Sequence, residues 1–384
     1  MKITHTLVAI AAGLTFGAAA QAESSVTLYG ILDAGVQGST QSLANGYSAS
    51  NFGLANGVQQ GNRFGLKGSE DLGSGTRATF VLEGGFNLGS GASQQNGALY
   101  GRQSWVGLEN NSWGYVRLGK QYNFATDYIQ GVIDPFLGGF GQANIGTTFG
   151  AANLTRYNNM VKYQSPTWNG LTAGIGYSFA NGLTSVYTDP KTLVAANTYN
   201  YATSDNARTV TAGLKYVNGP VTLAGSYDVM YGAENIVGSG AANPSQWIVG
   251  GMYDFNVAKV SAAYSRTRNG WINGQASVDS TFTANAYGGG AGGVLYDTNF
   301  GANSYLAGVT VPVGGVQKVF ASYQYATPIA SFAAAANLNI YSVGYQYDFS
   351  KRTNAYAYVS QANNYAFIDG AKSTVYGVGM RHTF

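Results

Sequence analysis

The sequence predicts an all-β fold: a sixteen-stranded antiparallel transmembrane β-barrel with short turns at one rim and long loops at the other. Three observations carry this reading. The chain ends in period-two alternation, its composition is poor in charge without being hydrophobic, and alternating segments recur between connectors that are short and long in turn.

The last ten residues run from Val375 to Phe384. Tyr376, Val378, Met380, His382 and Phe384 fall on one face, and Gly377, Gly379, Arg381 and Thr383 on the other. Period two is a strand signal. A strand that runs to an aromatic last residue suits a closed barrel, whose outer face meets lipid and whose inner face meets water. The closing strand of a soluble β-sandwich alternates in the same way, so the rest of the chain has to decide between them.

Composition separates the two. Gly is 55 of 384 residues, Tyr 29 and Pro 7, and charged residues make up 10%, against roughly 25% in a soluble domain. Mean hydropathy is nevertheless −0.06. Such a chain covers its surface with Gly, Ser, Thr, Asn and Tyr, as a barrel between lipid and water does. Its aromatic content of 14% excludes disorder. The absence of cysteine argues against a disulfide scaffold. A net charge of +3, dispersed along the chain, is too balanced for a nucleic-acid partner.

Residues 1–22 read as a cleaved signal peptide: Lys2 gives a positive start, Leu7 to Ala20 an apolar stretch, and Ala20-Gln21-Ala22 a small-x-small site. The apolar stretch is shorter than the roughly 20 residues of a spanning helix. Residues 23–384 are then expected to form one barrel domain. Alternating segments lie near 25–38, 61–72, 76–89, 99–110, 113–122, 155–165, 171–181, 207–217, 220–231, 245–255, 257–267, 303–313, 316–326, 337–348, 353–363 and 373–384. Sixteen is an even number within the range of membrane barrels. Short connectors carry turn chemistry, as in Asp71 to Gly75, Val217-Asn218-Gly219-Pro220 and Asp348 to Arg352. The connectors 39–60, 123–154, 182–206 and 268–302 are long and polar. Closure into a single barrel removes the strand edges that lipid cannot satisfy.

Four stretches carry a family resemblance: SSVTLYGILDAG (Ser24 to Gly35), RFGLKGSEDLGSGTRATFVLEGGFNL (Arg63 to Leu88), RQSWVGLENNSWGYVRLGKQYN (Arg102 to Asn123) and RYNNMVKYQSPTWNGLTAGIGYSF (Arg156 to Phe179). With the last strand, they resemble the general-diffusion porins of Gram-negative outer membranes, the β-proteobacterial type in particular. The likeness is strongest before residue 180 and at the C-terminus. It implies short periplasmic turns, long external loops, a homotrimer, and a third loop folded into the lumen. It also implies partners in outer-membrane lipid, lipopolysaccharide and the barrel assembly machinery. The assembly signal would be the terminal alternation Tyr376, Val378, Met380, His382 and Phe384.

In such porins arginines on the wall face carboxylates on the inserted loop. By motif, the wall arginines are Arg63, Arg102 and Arg156. Alternation puts Arg63 inward, with Phe64 and Leu66 toward lipid, since a lipid-facing arginine at mid-membrane costs about 2–4 kcal/mol. The alternative is a rim position at the lipid headgroups. Glu83 falls on the inward face of its strand, and Lys162 on that of Arg156. The inserted loop is 123–154, whose acids are Asp127 and Asp134. Phe136 stands where the enterobacterial pattern has a carboxylate, so the resemblance implies a neutral to anion-preferring constriction.

Enzyme readings fare poorly. The two histidines are His5, in the leader, and His382, in the last strand, which assemble neither a Ser-His-Asp set nor a metal site. The run Gly288 to Gly293 fits G-x-G-x-x-G by letter but follows no hydrophobic strand and opens no helix. No cofactor is expected. The functional expectation is a water-filled channel for passive diffusion of ions and small hydrophilic solutes. The alternative is a barrel that anchors adhesive or receptor loops.

Overall fold

The computed structural model describes residues 24–181, 207–231, 243–272, 300–329 and 336–384. The expected leader, the loop 182–206 and the glycine run 288–293 lie outside the described residues.

The elements, in order, are β1 (Ser25–Ser42), β2 (Ser48–Asn56), β3 (Arg63–Gly73), β4 (Thr76–Gly85), β5 (Gln103–Asn110), β6 (Gly114–Tyr122), β7 (Arg156–Gln164), β8 (Leu171–Ser178) and β9 (Arg208–Asn218). They continue with β10 (Val221–Tyr231), β11 (Ser245–Asp254), β12 (Lys259–Arg268), β13 (Gly301–Val313), β14 (Gln317–Pro328), β15 (Leu338–Asp348), β16 (Thr353–Asn363) and β17 (Lys372–Thr383). Each pairs antiparallel with its chain neighbours, except that β2 is bonded only to β1. The pairing of β1 with β17, Ile31 to Ser42 against Thr383 to Lys372, closes the barrel.

The wall has sixteen strands because β2 and β3 together fill one position. One edge of β1 pairs along its first part with β3, Ser25 to Ile31 against Ser69 to Arg63. Along its second part it pairs with β2, Ala34 to Ser42 against Asn56 to Ser48. Residues 57–62 bulge out of this line. The expected long connector 39–60 is therefore mostly strand, and the turn between β1 and β2 is only 43–47. The sequence Ser48–Asn56 is polar, which hid its weak alternation of Phe52 and Leu54 with Asn51, Gly53 and Ala55.

Alternation is built as physics requires. In β15, Ile340, Ser342 and Gln346 are buried inside, whereas Tyr341, Val343, Tyr345 and Tyr347 are exposed outside. On the outer face, Leu28, Val106, Leu118, Ile175, Leu223 and Val378 continue one exposed apolar belt. A belt this extensive exceeds what a soluble monomer leaves in water. Toward the long-loop rim it carries an aromatic ladder across adjacent strands. Trp247 and Tyr264 lie 5.2 Å apart, Tyr264 and Tyr305 5.0 Å, Tyr305 and Tyr325 6.0 Å, and Tyr323 and Tyr341 5.0 Å. Amphipathic rings suit the headgroup level of a bilayer.

Candidate functional site

The lumen is narrowed by the third loop, which leaves β6 at Asn123 and returns at Arg156. Its entry is fixed by the Asn123 amide, which donates to Ala151 O and to Asp228 Oδ1, both at 2.9 Å. A turn of helix, Ala125–Gln130, then carries Phe124, Tyr128, Ile129 and Ile133 against Ala224, Ile248, Ala263 and Leu306 on the inner wall of β10–β13. Beyond Pro135, Phe136 meets Phe320 at 4.9 Å, and Phe140 meets Phe320, Tyr356 and Tyr358 at 5.5, 5.3 and 5.1 Å. Gly344 makes room for this seat: a Cβ there would lie 2.3 Å from the Phe320 ring. The return path is pinned by side chains. Gln142 Nε2 donates to Ser360 O and Ser373 O at 2.9 and 3.0 Å. Thr148 Oγ1 donates to Gln324 Oε1 at 2.6 Å, and Ala151 N donates to Gln246 Oε1 at 2.7 Å. The loop thus lies against the wall from β9 to β17 and leaves the inner face of β3–β7 open opposite it.

The bulge 57–62 meets the loop tip. Phe140 N donates to Val58 O at 2.6 Å. The bulge is held in turn by the buried Asp33, whose Oδ2 accepts from Gln60 N at 2.6 Å and whose Oδ1 accepts from Tyr356 Oη at 2.6 Å. Arg381 donates to Gln60 Oε1 at 2.7 Å. The inward Arg381 of the closing strand, the bulge and the loop tip are one connected structure.

Asp134 faces the loop rather than the arginines. It is 1% exposed. Its Oδ1 accepts from Phe136 N at 3.0 Å, and its Oδ2 from Gly138 N and Ile145 N at 2.9 and 3.2 Å. Burial pushes its carboxyl up to about 6, and the three N–H donors hold it from rising further. Phe136 fills the aromatic seat. Phe136 brings no charge, and the Asp134 carboxyl pairs with none of the described arginines.

The open wall holds the basic groups. Arg102 Nε donates to Glu83 Oε1 at 2.8 Å, both nearly buried. Tyr29 Oη donates to Glu83 Oε2 at 3.1 Å. Tyr122 Oη accepts from Arg102 Nη2 at 3.0 Å and also from Arg156 Nη2. Arg156 lies over the Tyr122 ring, 4.3 Å from its centroid. Arg63 Nε donates to Gly61 O at 2.9 Å. Lys162 pairs with Asp127 of the loop and donates to Tyr122 O at 2.8 Å. A bulge at Lys120 in β6 and a left-handed Asn159 in β7 shift the alternation here. As a result Arg156 and its neighbour Tyr157 both find inner partners, the latter donating to Asp228 at 3.0 Å.

Glu83 and Asp127 are thus each matched to one cation. Arg63 and Arg156 have no described carboxylate within ion-pair distance. The sequence reading missed Tyr122, Tyr29, Asp228 and Asp33, which bind this site together. Inward parity was their only signal, and a hydroxyl's distant partner leaves no local pattern. At the end of the chain, Tyr376, Val378, Met380, His382 and Phe384 share the exposed outer face, with Thr353 Oγ1 and His382 Nδ1 2.8 Å apart.

An apolar belt outside, a polar lumen inside and a cluster of wall cations beside an inserted loop define a channel through a lipid bilayer. Residues 6–366 match the model of a Gram-negative porin family. The chain is 46% identical over 396 residues to an outer membrane porin protein of Bordetella pertussis, with 100% of both chains covered. It is 30% identical to outer membrane porin protein 32 of Delftia acidovorans, covering 97% of this chain and 92% of that one. Among solved structures, the anion-selective porin from Comamonas acidovorans superposes with a TM-score of 0.70 at 26% identity, covering 94% of this chain and 100% of that one. The chain belongs to the Gram-negative porin family, and its place is the outer membrane. Family and fold are those of channels rather than enzymes.

Proposed function

We propose that this porin is an anion-preferring channel for small hydrophilic solutes, filtered by Arg63, Arg102, Arg156 and Lys162 on the wall, with Glu83 and Asp127 as partial counter-charges. The observation that carries it is the pair Arg63 and Arg156, which lack a described carboxylate partner while Asp134 is turned into the loop. Fixed positive charge in a confined lumen concentrates anions and repels cations. The likeness to the Comamonas acidovorans porin, which is anion-selective, supports the same sign. Solutes move down their gradient. Hydrated polar molecules align in the field between the cations and the loop, and apolar ones lose hydration. The test is the zero-current potential of the purified protein in a planar bilayer under a potassium chloride gradient. Anion preference sets its sign, and high salt should mute it by screening. An ohmic pore with cation preference would overturn the sign, and no conductance would overturn the channel itself in favour of a loop-presenting anchor.

The assembled form is read as a homotrimer. The apolar outer face can be shared in closed cyclic symmetry, and a solved protein of the same fold, OmpT of Vibrio cholerae at 14% identity, has a trimer form. Outer-membrane lipid and lipopolysaccharide would meet the belt, and the assembly machinery the terminal strand. Unheated electrophoresis in mild detergent should give a high-mass band that collapses on boiling.

A further inference from the structure

On the outer wall, three arginines stand at the long-loop ends of β9 and β12. Arg208 shares its face with the exposed Leu214, and Arg266 stands opposite the exposed Trp247. Arg268, two residues on, is exposed. Their strand neighbours Thr209, Ser265 and Thr267 are buried inside. No ion pair is described for any of the three arginines, and Nε of Arg208 and of Arg266 has no partner. Asn303 Oδ1 accepts from Arg266 Nη1 at 3.3 Å and from Tyr264 Oη at 2.9 Å, which holds the guanidinium against the aromatic ladder. The acids of β8–β13 lie elsewhere: Asp228 is bound inside to Asn123 and Tyr157, and Asp254 pairs with Lys259 at the short-turn end.

Beside these arginines the outer wall is hollow. A space of about 340 Å³ lies over the sheet from β8 to β11. Ala173, Ala212 and Gly225 form its floor, and Leu214, Tyr227 and Trp247 rise around it. Ala212, Tyr227, Trp247 and Arg266 are successive partners across β9 to β12, so one row runs from the hollow to the arginine. Arg268 is one step nearer the rim, ~6.7 Å along the strand, and Arg208 stands roughly 14 Å away across three strands. The wall itself does not require glycine at 225. A Cβ there would meet Ile248 O at 3.6 Å and Val249 Cγ1 at 3.8 Å, both ordinary contacts. The missing side chain instead deepens the hollow. An apolar space of about 150 Å³ takes a benzene-sized body, so this one takes a run of acyl carbons.

We propose that this face holds one phosphorylated lipid of the outer leaflet, a diphosphorylated glycolipid being the fitting class. Arg266 and Arg268 take one phosphate, Arg208 takes the second, and an acyl chain lies in the hollow. Guanidinium forks match phosphate oxygens, and the aromatic ladder sets this row at the headgroup level. A second copy of the chain seated here would have to bring acids to three unpaired arginines, whereas a phosphorylated lipid brings charge and chain together. The proposal rests on the reading that outer-membrane lipid meets the belt, and it deepens that reading from a solvent around the wall to a single molecule bound at a stated place.

Diphosphoryl lipid A is the probe, titrated into folded protein in mild detergent and counted by native mass spectrometry. Monophosphoryl lipid A and phosphatidylcholine are the comparisons, and heat-modifiable migration checks folding. Diphosphoryl lipid A should be retained at one copy per protomer and should outlast phosphatidylcholine. The double substitution Arg266→Gln, Arg268→Gln should weaken it about tenfold or more, the effect of charge-assisted contacts. Arg208→Gln should remove the preference for the diphosphoryl over the monophosphoryl form. Gly225→Leu fills the hollow and should weaken both forms with every arginine in place. Unchanged retention in the double variant or in Gly225→Leu would overturn the site, as would equal retention of all three lipids by the unsubstituted protein. Loss of the high-mass band of unheated protein in these variants would also overturn it, because the face would then be a contact between copies. A protein that retains lipid A regardless of these residues loses only this site. One that retains none of the three lipids and stays folded and soluble without detergent loses the lipid-facing reading of the belt as well.

Discussion

Gly30 and Phe384 exchange both backbone hydrogen bonds, Gly30 N to Phe384 O and Phe384 N to Gly30 O, each at 3.1 Å. The terminal ring lies over the glycine: a Cβ on Gly30 would stand 2.2 Å from Phe384 Cζ. The last residue therefore completes the first strand, and the first strand is shaped to receive it.

Adding a side chain at this contact should impair closure. Gly30→Val should cost about 1–3 kcal/mol by overpacking, and Phe384→Ser should lose both the ring contact and the terminal aromatic. The check is the yield of folded, heat-modifiable protein. Normal yield for both variants would show that the contact is incidental.

The arginines should not behave alike. Arg63 has no described ion-pair partner, so Arg63→Ser should shift the zero-current potential toward cation preference with little loss of stability. Arg102 is locked to Glu83, so Arg102→Ser leaves a buried carboxylate uncompensated and should cost about 3 kcal/mol besides a larger shift. Glu83→Gln should move selectivity toward anions. Zero-current potentials at low salt and thermal melts of all three separate these outcomes, and unchanged selectivity for both arginine variants would exclude a filter at this wall.

Asp134 predicts a pH effect on the loop. Its carboxyl, at about 6 in the folded loop, lies above the ordinary value near 3.9. The folded form therefore binds the proton more tightly than the unfolded one. The resulting stabilisation, on the order of 3 kcal/mol, is full below about pH 4 and is lost as pH rises through about 6. Amide hydrogen exchange at Gly138 and Ile145, corrected for intrinsic rates, should show stronger protection at pH 4 than at pH 7. A pH-independent protection would show that the N–H donors outweigh burial.

The aromatic seat should set the steadiness of the pore. Phe140→Ala removes a ring that touches four others and should cost about 3–5 kcal/mol. Gly344→Val acts from the wall alone, by displacing Phe320. Both should raise single-channel current noise and speed exchange at Ala143, while the barrel melts nearly as before. Quiet channels in both variants would mean that the loop is held elsewhere.

Most of the wall was legible because alternation is a local property of the chain: β15 and β17 lie where their Tyr, Val and Gly residues put them. β2 was not, since Ser48–Asn56 carries little apolar contrast, and its partner β1 supplies the order. For the inner residues parity indicated the face but not the partner. The pairing of Asp134 with its own loop, of Tyr122 with two arginines, and of Val58 with Phe140 arises from folding in three dimensions. Glycine at position 344 reads as a weak strand residue until Phe320 is seen against it.

The seat of the inserted loop also fixes an order of events. Its tip binds Val58 near the start of the chain and Ser373 near its end, the latter across 231 positions of sequence. Together these contacts bring the β1 side and β17 to one place, as the closed barrel does. Loop-closure entropy makes such distant contacts slow to form. A barrel caught before closure would therefore lack the full seat of its loop, and the narrowing of the pore would be finished only when the wall around it is complete.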